Sequence, residues 1–137
     1  MLRRWGMGNI EIVEQIYGAF GRGDVAAILE RIDAEVDWEV GMVDGGVPWL
    51  RPGKGRAAVG AFFEALGGLE FTKFEVVTVV GAGEYVVGLL NVGFTVRATG
   101  KQVSETLESH VWRFEAGRVV AFRHGSDTHQ HFLASRA

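Results

Sequence analysis

Residues 69–126 read LEFTKFEVVTVVGAGEYVVGLLNVGFTVRATGKQVSETLESHVWRFEAGRVVAFRHGS. They divide into long runs rich in β-branched residues, at roughly 69–80, 84–97, 102–115 and 118–126, which are separated by short glycine-containing breaks. Connections this tight join antiparallel neighbours, so the segment predicts a four-stranded meander. The runs exceed the common strand length of about 5 or 6 residues, and long antiparallel sheets twist and coil enough to wrap around other elements.

Three helices are predicted ahead of the meander. Apolar residues recur at helical spacing over residues 9–21, a second helix follows an N-cap at Asp24, and a third spans residues 56–66. A short strand over residues 36–40 and a glycine-rich loop over residues 41–55 lie between the second and third of these helices. The pattern predicts an α+β domain in which three helices pack on a strongly curved, mainly antiparallel sheet and enclose an apolar pocket.

The totals fit one small domain. The chain has 137 residues, of which 47% are hydrophobic and 23% are charged, as in ordinary globular domains. It contains no cysteine, which excludes disulfides and thiolate chemistry and suits a reducing cytoplasm. The net charge of -3 argues against a nucleic-acid partner, and no apolar run is long enough to cross a membrane. We predict a flexible leader over residues 1–8 and a single domain over residues 9–137.

Four segments carry a resemblance to a known superfamily. They are YGAFGRGD at residues 17–24, VDWE at 36–39, GRAAVGAFF at 55–63, and HVWRFEAGRVV at 110–120, the last continuing to Asp127. With the order of helices and strands, they resemble the NTF2-like superfamily, in particular its SnoaL-like branch. The resemblance implies a cone-shaped fold with a deep pocket, often in a homodimer that packs sheet against sheet. Its relatives include ketosteroid isomerases, polyketide cyclases, epoxide hydrolases and binding proteins, so the fold does not fix the function.

His110 and His124 are the leading catalytic candidates. Strand alternation puts Thr106, Glu108, His110 and Trp112 on one face, which we assign to the pocket, and His124 follows inward on the next strand. Two imidazoles in an apolar cavity have lowered proton affinity and are available as bases near neutral pH. The alternative interpretation is that both are core histidines satisfied by neighbouring polar groups.

The resemblance suggests roles for these residues. In SnoaL-type cyclases a histidine and an aspartate act on an acidic carbon, and their spacing maps onto His110 and His124. In ketosteroid isomerases the acidic oxyanion donor maps onto His110, the general base onto Trp38, and the tyrosine donor one residue away from Tyr17. The predicted pair, oriented by Glu108, would therefore abstract a proton next to a carbonyl, with one imidazole as base and the other as hydrogen-bond donor.

Asp127 and the histidines around it allow several interpretations. Asp127 is a candidate pocket acid, but with Gln130 three residues later it also fits a capping box that opens a short C-terminal turn. His129 and His131 suggest a metal site, yet on a helix they lie about 200° apart and cannot readily share one ion. We predict no native metal site here.

Epoxide hydrolysis is a further alternative. It would need Glu108 to be neutralised by an inward-facing Arg97, together with a second acid. It would also need a tyrosine–asparagine pair, for which Tyr17 and Asn91 are the candidates.

We predict a cofactor-independent enzyme that performs proton transfer on a hydrophobic carbonyl compound, as a cyclase, isomerase or dehydratase. One rival is a non-catalytic ligand-binding module with the same cavity. Another is a dimeric scaffold with an exposed apolar sheet face at Leu107 and Val111. The predicted substrate-binding residues are Tyr17, Trp38, Trp49, Phe63, Asn91, Trp112 and Phe122, with Phe62 as a further aromatic wall.

Overall fold

The computed structural model describes residues 8–137, so residues 1–7 of the predicted leader lie outside the described residues. No helix within residues 8–137 is long and apolar enough to cross a bilayer. The elements over this range, in chain order, are α1 (Asn9–Gly21), α2 (Val25–Leu29), β1 (Ile32–Trp38), a 3₁₀ turn (Pro48–Leu50), β2 (Gly53–Lys54), α3 (Gly55–Leu66), β3 (Leu69–Ala82), β4 (Tyr85–Val96), β5 (Gln102–Glu115), β6 (Arg118–Gly125) and α4 (Thr128–Ser135).

The strands form one sheet in the order β2-β1-β6-β5-β4-β3. The predicted meander β3-β4-β5-β6 is confirmed, since each of its neighbours pairs antiparallel. β1 joins it parallel to β6, with Trp38 opposite Phe122. α1 packs against β3 and β4, and α3 packs against β1, so the helices cover one face of the curled sheet. The predicted α+β fold class is confirmed.

α2 is shorter than the sequence predicts. Asp24 caps it as expected, because its side chain accepts a hydrogen bond from the Ala27 amide. The predicted apolar stripe, however, continues to Ile32, whereas the helix ends at Leu29. Ile32 instead begins β1, where it is fully buried and lies opposite Val119. Burial in the sheet has outweighed helical spacing for this residue.

β5 contains a bulge that changes which side chains face inward. On the neighbouring β4, Leu90 pairs with Glu108 and Val92 pairs with Glu105, so the two residues between them on β5 oppose one residue on β4. The bulged residue Leu107 has a φ of 58°, in the left-handed region. An extra residue reverses the alternation. Glu105 and Glu108 are therefore both buried, and the prediction that Thr106 shares the pocket face is wrong.

Candidate functional site

A cavity lies between the helices and the concave face of the sheet. The cavity has a volume of about 80 Å³. Its walls are mainly aromatic and aliphatic, and none of the residues between 8 and 137 that line it is a lysine or an arginine. Of the predicted site residues, those that line it are Tyr17, Trp38, Trp49, Phe62, Phe63, Glu108, His110, Trp112, Phe122 and His124.

A chain of hydrogen bonds runs from Tyr17 on α1 through His110 to Glu108 on β5. The Tyr17 hydroxyl lies 2.9 Å from His110 Nδ1, and His110 Nε2 lies 3.0 Å from Glu108 Oε1. Trp112 Nε1 donates to the Tyr17 oxygen at 3.2 Å, and the Ser126 hydroxyl donates to Glu108 Oε2 at 2.8 Å. We call the first three residues the Tyr17–His110–Glu108 chain; Trp112 and Ser126 support its two ends.

The ionisation states of Glu108, His110 and Tyr17 decide which atom donates in each of these hydrogen bonds. Burial would raise the pKa of Glu108, but the hydrogen bond from His110 and the nearby imidazoles lower it to about 2. Glu108 is therefore a carboxylate, and His110 Nε2–H donates to it. Burial also lowers the pKa of His110, so the ring is neutral at pH 7 and its bare Nδ1 accepts from Tyr17. The pKa of Tyr17 is raised by burial, which keeps the phenol protonated.

Gly88 makes room for the Tyr17 hydroxyl. It lies on β4 directly opposite His110, and a Cβ placed there would collide with the Tyr17 oxygen. The absence of a side chain lets a helix residue reach the backbone of the sheet.

His124 forms a second histidine–glutamate pair in the same cavity. Its Nδ1 bonds to Glu39 Oε2, and its backbone amide donates to Glu39 Oε1 at 2.9 Å. Burial lowers the pKa of His124, but the attraction and hydrogen bond of Glu39 outweigh it and leave the pKa above its ordinary value. The rings of His110 and His124 are 4.8 Å apart, edge to face. A neutral imidazole and a readily protonated one therefore lie side by side.

A third pair, His131 with Glu105, joins the C-terminal helix α4 to the sheet. Trp49 Nε1 donates to His131 Nδ1 at 2.9 Å, so the proton lies on Nε2, which donates to Glu105. Both oxygens of Glu105 also accept from the Asp127 amide at 3.1 Å. Every polar atom of the His131 ring is thus occupied within the protein.

A family model for the SnoaL-like domain matches residues 13–122. The chain belongs to the SnoaL-like family. An NTF2-like protein from Burkholderia thailandensis E264 shares 30% identity with this SnoaL-like chain at a TM-score of 0.78, covering 96% of this chain and 100% of the other. An NTF2-like protein of unknown function from Burkholderia pseudomallei K96243 shares 28% identity with this chain at a TM-score of 0.78, again covering 96% of this chain and 100% of the other. The predicted superfamily and branch are confirmed.

TerC, crystallised with polyporic acid, has the same fold. It shares 19% identity with this SnoaL-like chain at a TM-score of 0.76, covering 94% of this chain and 98% of TerC. No functionally curated protein matches the sequence.

Three residues that we predicted near the site of this SnoaL-like chain lie elsewhere. Asp127 is exposed and caps α4, where its side chain accepts from the Gln130 amide at 3.2 Å. Asn91 does not line the cavity, because its amide bridges Glu75 and the bulged Leu107 backbone.

Arg97 is the third. It lies exposed in the turn after β4 and does not neutralise Glu108. With Asn91 and Arg97 both outside the cavity, the arrangement required for epoxide hydrolysis is not assembled.

Four polar residues of the site were not predicted: Glu39, Glu105, Ser126 and His131. Glu39 follows the end of β1 and has a φ of 54°, which turns its side chain inward where strand alternation points it outward. Glu105 is brought inside by the bulge. His131 is buried with Ala134 on the inner side of α4, whereas its apolar neighbours Phe132 and Leu133 are largely exposed. Only the spacing of His131 and Ala134 could have indicated this.

In the part of the chain that the structure describes, two groups of side chains have atoms close enough to hold a metal ion. Glu108, His110 and His124 form one group, and Glu105, Glu108 and His131 form the other, with ligand atoms within 4.8 Å of one another in each. His129 belongs to neither group, since it is exposed while His131 points inward. In both groups each histidine already has a carboxylate partner, so the hydrogen-bonded arrangement accounts for these residues without an ion.

Proposed function

We propose that this SnoaL-like protein is a cofactor-independent enzyme that moves a proton beside the carbonyl group of a hydrophobic molecule, as a cyclase, isomerase or dehydratase. The observation that carries the proposal is the Tyr17–His110–Glu108 chain, which ends with a protonated phenol at an apolar cavity. A neutral imidazole backed by a buried carboxylate is the usual arrangement of a general base.

The Tyr17–His110–Glu108 chain removes the substrate proton by two linked proton transfers. As the substrate carbon next to the carbonyl releases its proton to the Tyr17 oxygen, Tyr17 passes its own hydroxyl proton to His110 Nδ1. His110 becomes an imidazolium, which the Glu108 carboxylate stabilises through Nε2–H. The raised pKa of Tyr17 suits this role, because the phenol exchanges one proton for another and never becomes a phenolate.

His124 acts on the carbonyl oxygen. Glu39 favours the protonated ring, and Nε2 of His124 bonds to none of residues 8–137. Nε2–H can therefore donate to the negative charge that develops on the oxygen as the carbon loses its proton. The resulting enolate then takes the proton back at another carbon, expels a hydroxyl group, or attacks a second carbonyl. These outcomes correspond to an isomerase, a dehydratase and a cyclase.

A second candidate function, non-catalytic ligand binding, is favoured by one observation. Both nitrogens of His110 already have protein partners, as expected of a structural core histidine. The fold neighbour TerC was crystallised with polyporic acid, which supports a small-molecule cavity under either function.

Exchange of deuterium into a ketone separates the two functions. We expect the protein to accelerate exchange of the α-hydrogens of 1-tetralone in D₂O at pH 7, followed by proton NMR. His110→Asn should slow the protein-dependent exchange by about 10²–10⁴-fold, the usual contribution of a general base. His129→Asn, which changes an exposed histidine outside the cavity, is the matched control and should leave the rate unchanged. Binding of 1-tetralone without any accelerated exchange would refute the enzyme and favour the binding protein.

A further inference from the structure

The indole nitrogen of Trp38 is a buried hydrogen-bond donor without an acceptor. Over residues 8–137 it is the one buried side-chain nitrogen or oxygen that has no hydrogen-bond partner. Trp38 is 2% exposed and lines the cavity. A buried donor left unpaired is destabilising, so such groups usually have an acceptor in the functional state.

Trp38 lies in the same corner of the cavity as His124. The Trp38 ring stacks on Phe122 with centroids 4.4 Å apart, and the His124 ring lies 4.8 Å from Phe122 on centroids. Phe62 contacts both as well, at 5.3 Å from Trp38 and 5.8 Å from His124. Two ring nitrogens without a partner among the described residues, Nε1 of Trp38 and Nε2 of His124, therefore belong to one aromatic corner.

The charges around the cavity select an uncharged ligand. Glu108 lines it, and Glu39 and Glu105 are buried directly behind His124 and His131. Among residues 8–137 the lining contains no lysine or arginine that could pair with an anion, and the positive charge of a protonated His124 is already balanced by Glu39. A carboxylate ligand would meet three buried glutamates in a medium of low dielectric, whereas a carbonyl oxygen accepts hydrogen bonds without bringing a charge.

We infer that Trp38 Nε1–H and His124 Nε2–H together bind one oxygen of the substrate, and that this substrate is a neutral, planar aromatic ketone held against Phe122 and Phe62. The inference rests on the proposed function for the cavity and adds the class of substrate and its point of attachment. Trp38 is then a binding residue that touches the carbonyl oxygen, while the Tyr17–His110–Glu108 chain acts on the neighbouring carbon.

The inference is tested by comparing the affinities of matched ligands. Titration calorimetry would measure the Kd of 1-tetralone, of tetralin, which has the same rings without the oxygen, and of 1-naphthoate, which carries a charge. We expect the wild type to prefer 1-tetralone over both. Trp38→Phe should reduce the preference for 1-tetralone over tetralin by roughly 5-fold, the effect of losing one hydrogen bond. The comparison with tetralin cancels the effect of the smaller side chain, because both ligands meet the same altered wall.

A second measurement does not depend on the variant folding. In the wild type, the indole N–H proton of Trp38 should move downfield in the NMR spectrum when 1-tetralone binds and should not do so with tetralin. Four outcomes would each overturn the inference. In calorimetry they are equal losses of affinity for 1-tetralone and tetralin in Trp38→Phe, tighter binding of 1-naphthoate than of 1-tetralone, and no binding of 1-tetralone to the wild type. In NMR it is an indole N–H signal that does not shift when 1-tetralone is added. The exchange assay is scored separately. Accelerated exchange with an unshifted indole signal would refute this inference alone. A shifted indole signal without accelerated exchange would refute only the proposed enzymatic function.

Discussion

Replacing Tyr17 with phenylalanine tests the proton pathway most directly, because it removes one oxygen and keeps the ring. Tyr17 is 8% exposed, and its hydroxyl bonds to His110 Nδ1 and accepts from Trp112 Nε1. Tyr17→Phe leaves both nitrogens unpaired, at a cost of about 1–3 kcal/mol each, partly offset because the hydroxyl itself no longer has to be buried. We expect a net loss of about 2 kcal/mol in the free energy of unfolding. For a domain of this size that lowers Tm by about 6–8 °C.

The same change should abolish most of the activity. Without the phenol the substrate proton has no direct route to His110, so exchange into 1-tetralone should fall by about 10²–10⁴-fold at saturating ketone. Urea unfolding followed by fluorescence gives the stability, and proton NMR gives the exchange rate. Tyr85→Phe is the matched control, since Tyr85 is the other tyrosine of the chain and is 49% exposed. It should change neither quantity.

Gly88→Ala provides an independent check on the same oxygen. The Cβ added at position 88 would displace the Tyr17 hydroxyl while leaving the phenol in the protein. If the position of the hydroxyl matters for proton transfer, Gly88→Ala should slow exchange as Tyr17→Phe does. A destabilised Tyr17→Phe that still exchanges 1-tetralone at the wild-type rate would refute the role of Tyr17 and leave a purely structural hydrogen bond.

Other changes should give distinct results. His131→Leu should lower the free energy of unfolding by about 3 kcal/mol in urea, because it removes the imidazole partner of the buried Glu105 and leaves the Trp49 indole N–H without an acceptor. His129→Leu at the surface should change it by less than about 0.5 kcal/mol. In imidazole NMR, His110 should titrate below the ordinary pKa of about 6.5 and His124 above it; a reversed order would contradict the assigned protonation states. The pKa of His124 is raised by folding, so its contribution to stability should be complete below about pH 6.5 and disappear as the pH rises through the folded value. Asp127→Ala should lower stability slightly through the lost cap and leave exchange unchanged; a loss of exchange at full stability would restore Asp127 as a catalytic candidate.

The sequence was sufficient to predict the four-stranded meander, because its strand signals are local, but not β2, which lies within the predicted glycine-rich loop. The runs from Leu69 onward are long, β-branched and separated by tight glycine turns, and each corresponds to a strand of the structure. Ile32 was misassigned because one apolar residue at helical spacing also suits a buried strand. Its partner Val119 lies 87 positions away, and no local pattern reports such a contact.

The site could be predicted in its aromatic walls, its two central histidines and Glu108, but not in Glu39 and Glu105. Alternation correctly directs His110 and Trp112 inward, because both follow the bulge on an unbroken strand. Glu39 and Glu105 depend on single backbone departures from regular strand geometry, one a left-handed residue and the other an inserted one. Both departures occur at non-glycine positions, where the sequence carries no glycine to mark a left-handed conformation.

The three histidine–glutamate pairs are chemically alike, yet their remaining contacts give them different roles. His131 has both nitrogens bonded to protein groups that join α4 to the sheet, so its pair holds the C-terminal helix in place. His110 directs its second nitrogen to a phenol at the cavity, and the second nitrogen of His124 bonds to none of the described residues. Chemistry requires a group that can change partners, and only the latter two pairs meet that requirement. Loss of His131 should therefore appear mainly as lost stability, whereas loss of His110 should appear mainly as lost exchange at nearly unchanged affinity for the ketone. Loss of His124 should reduce both exchange and affinity for the ketone, because its Nε2–H binds the ketone oxygen.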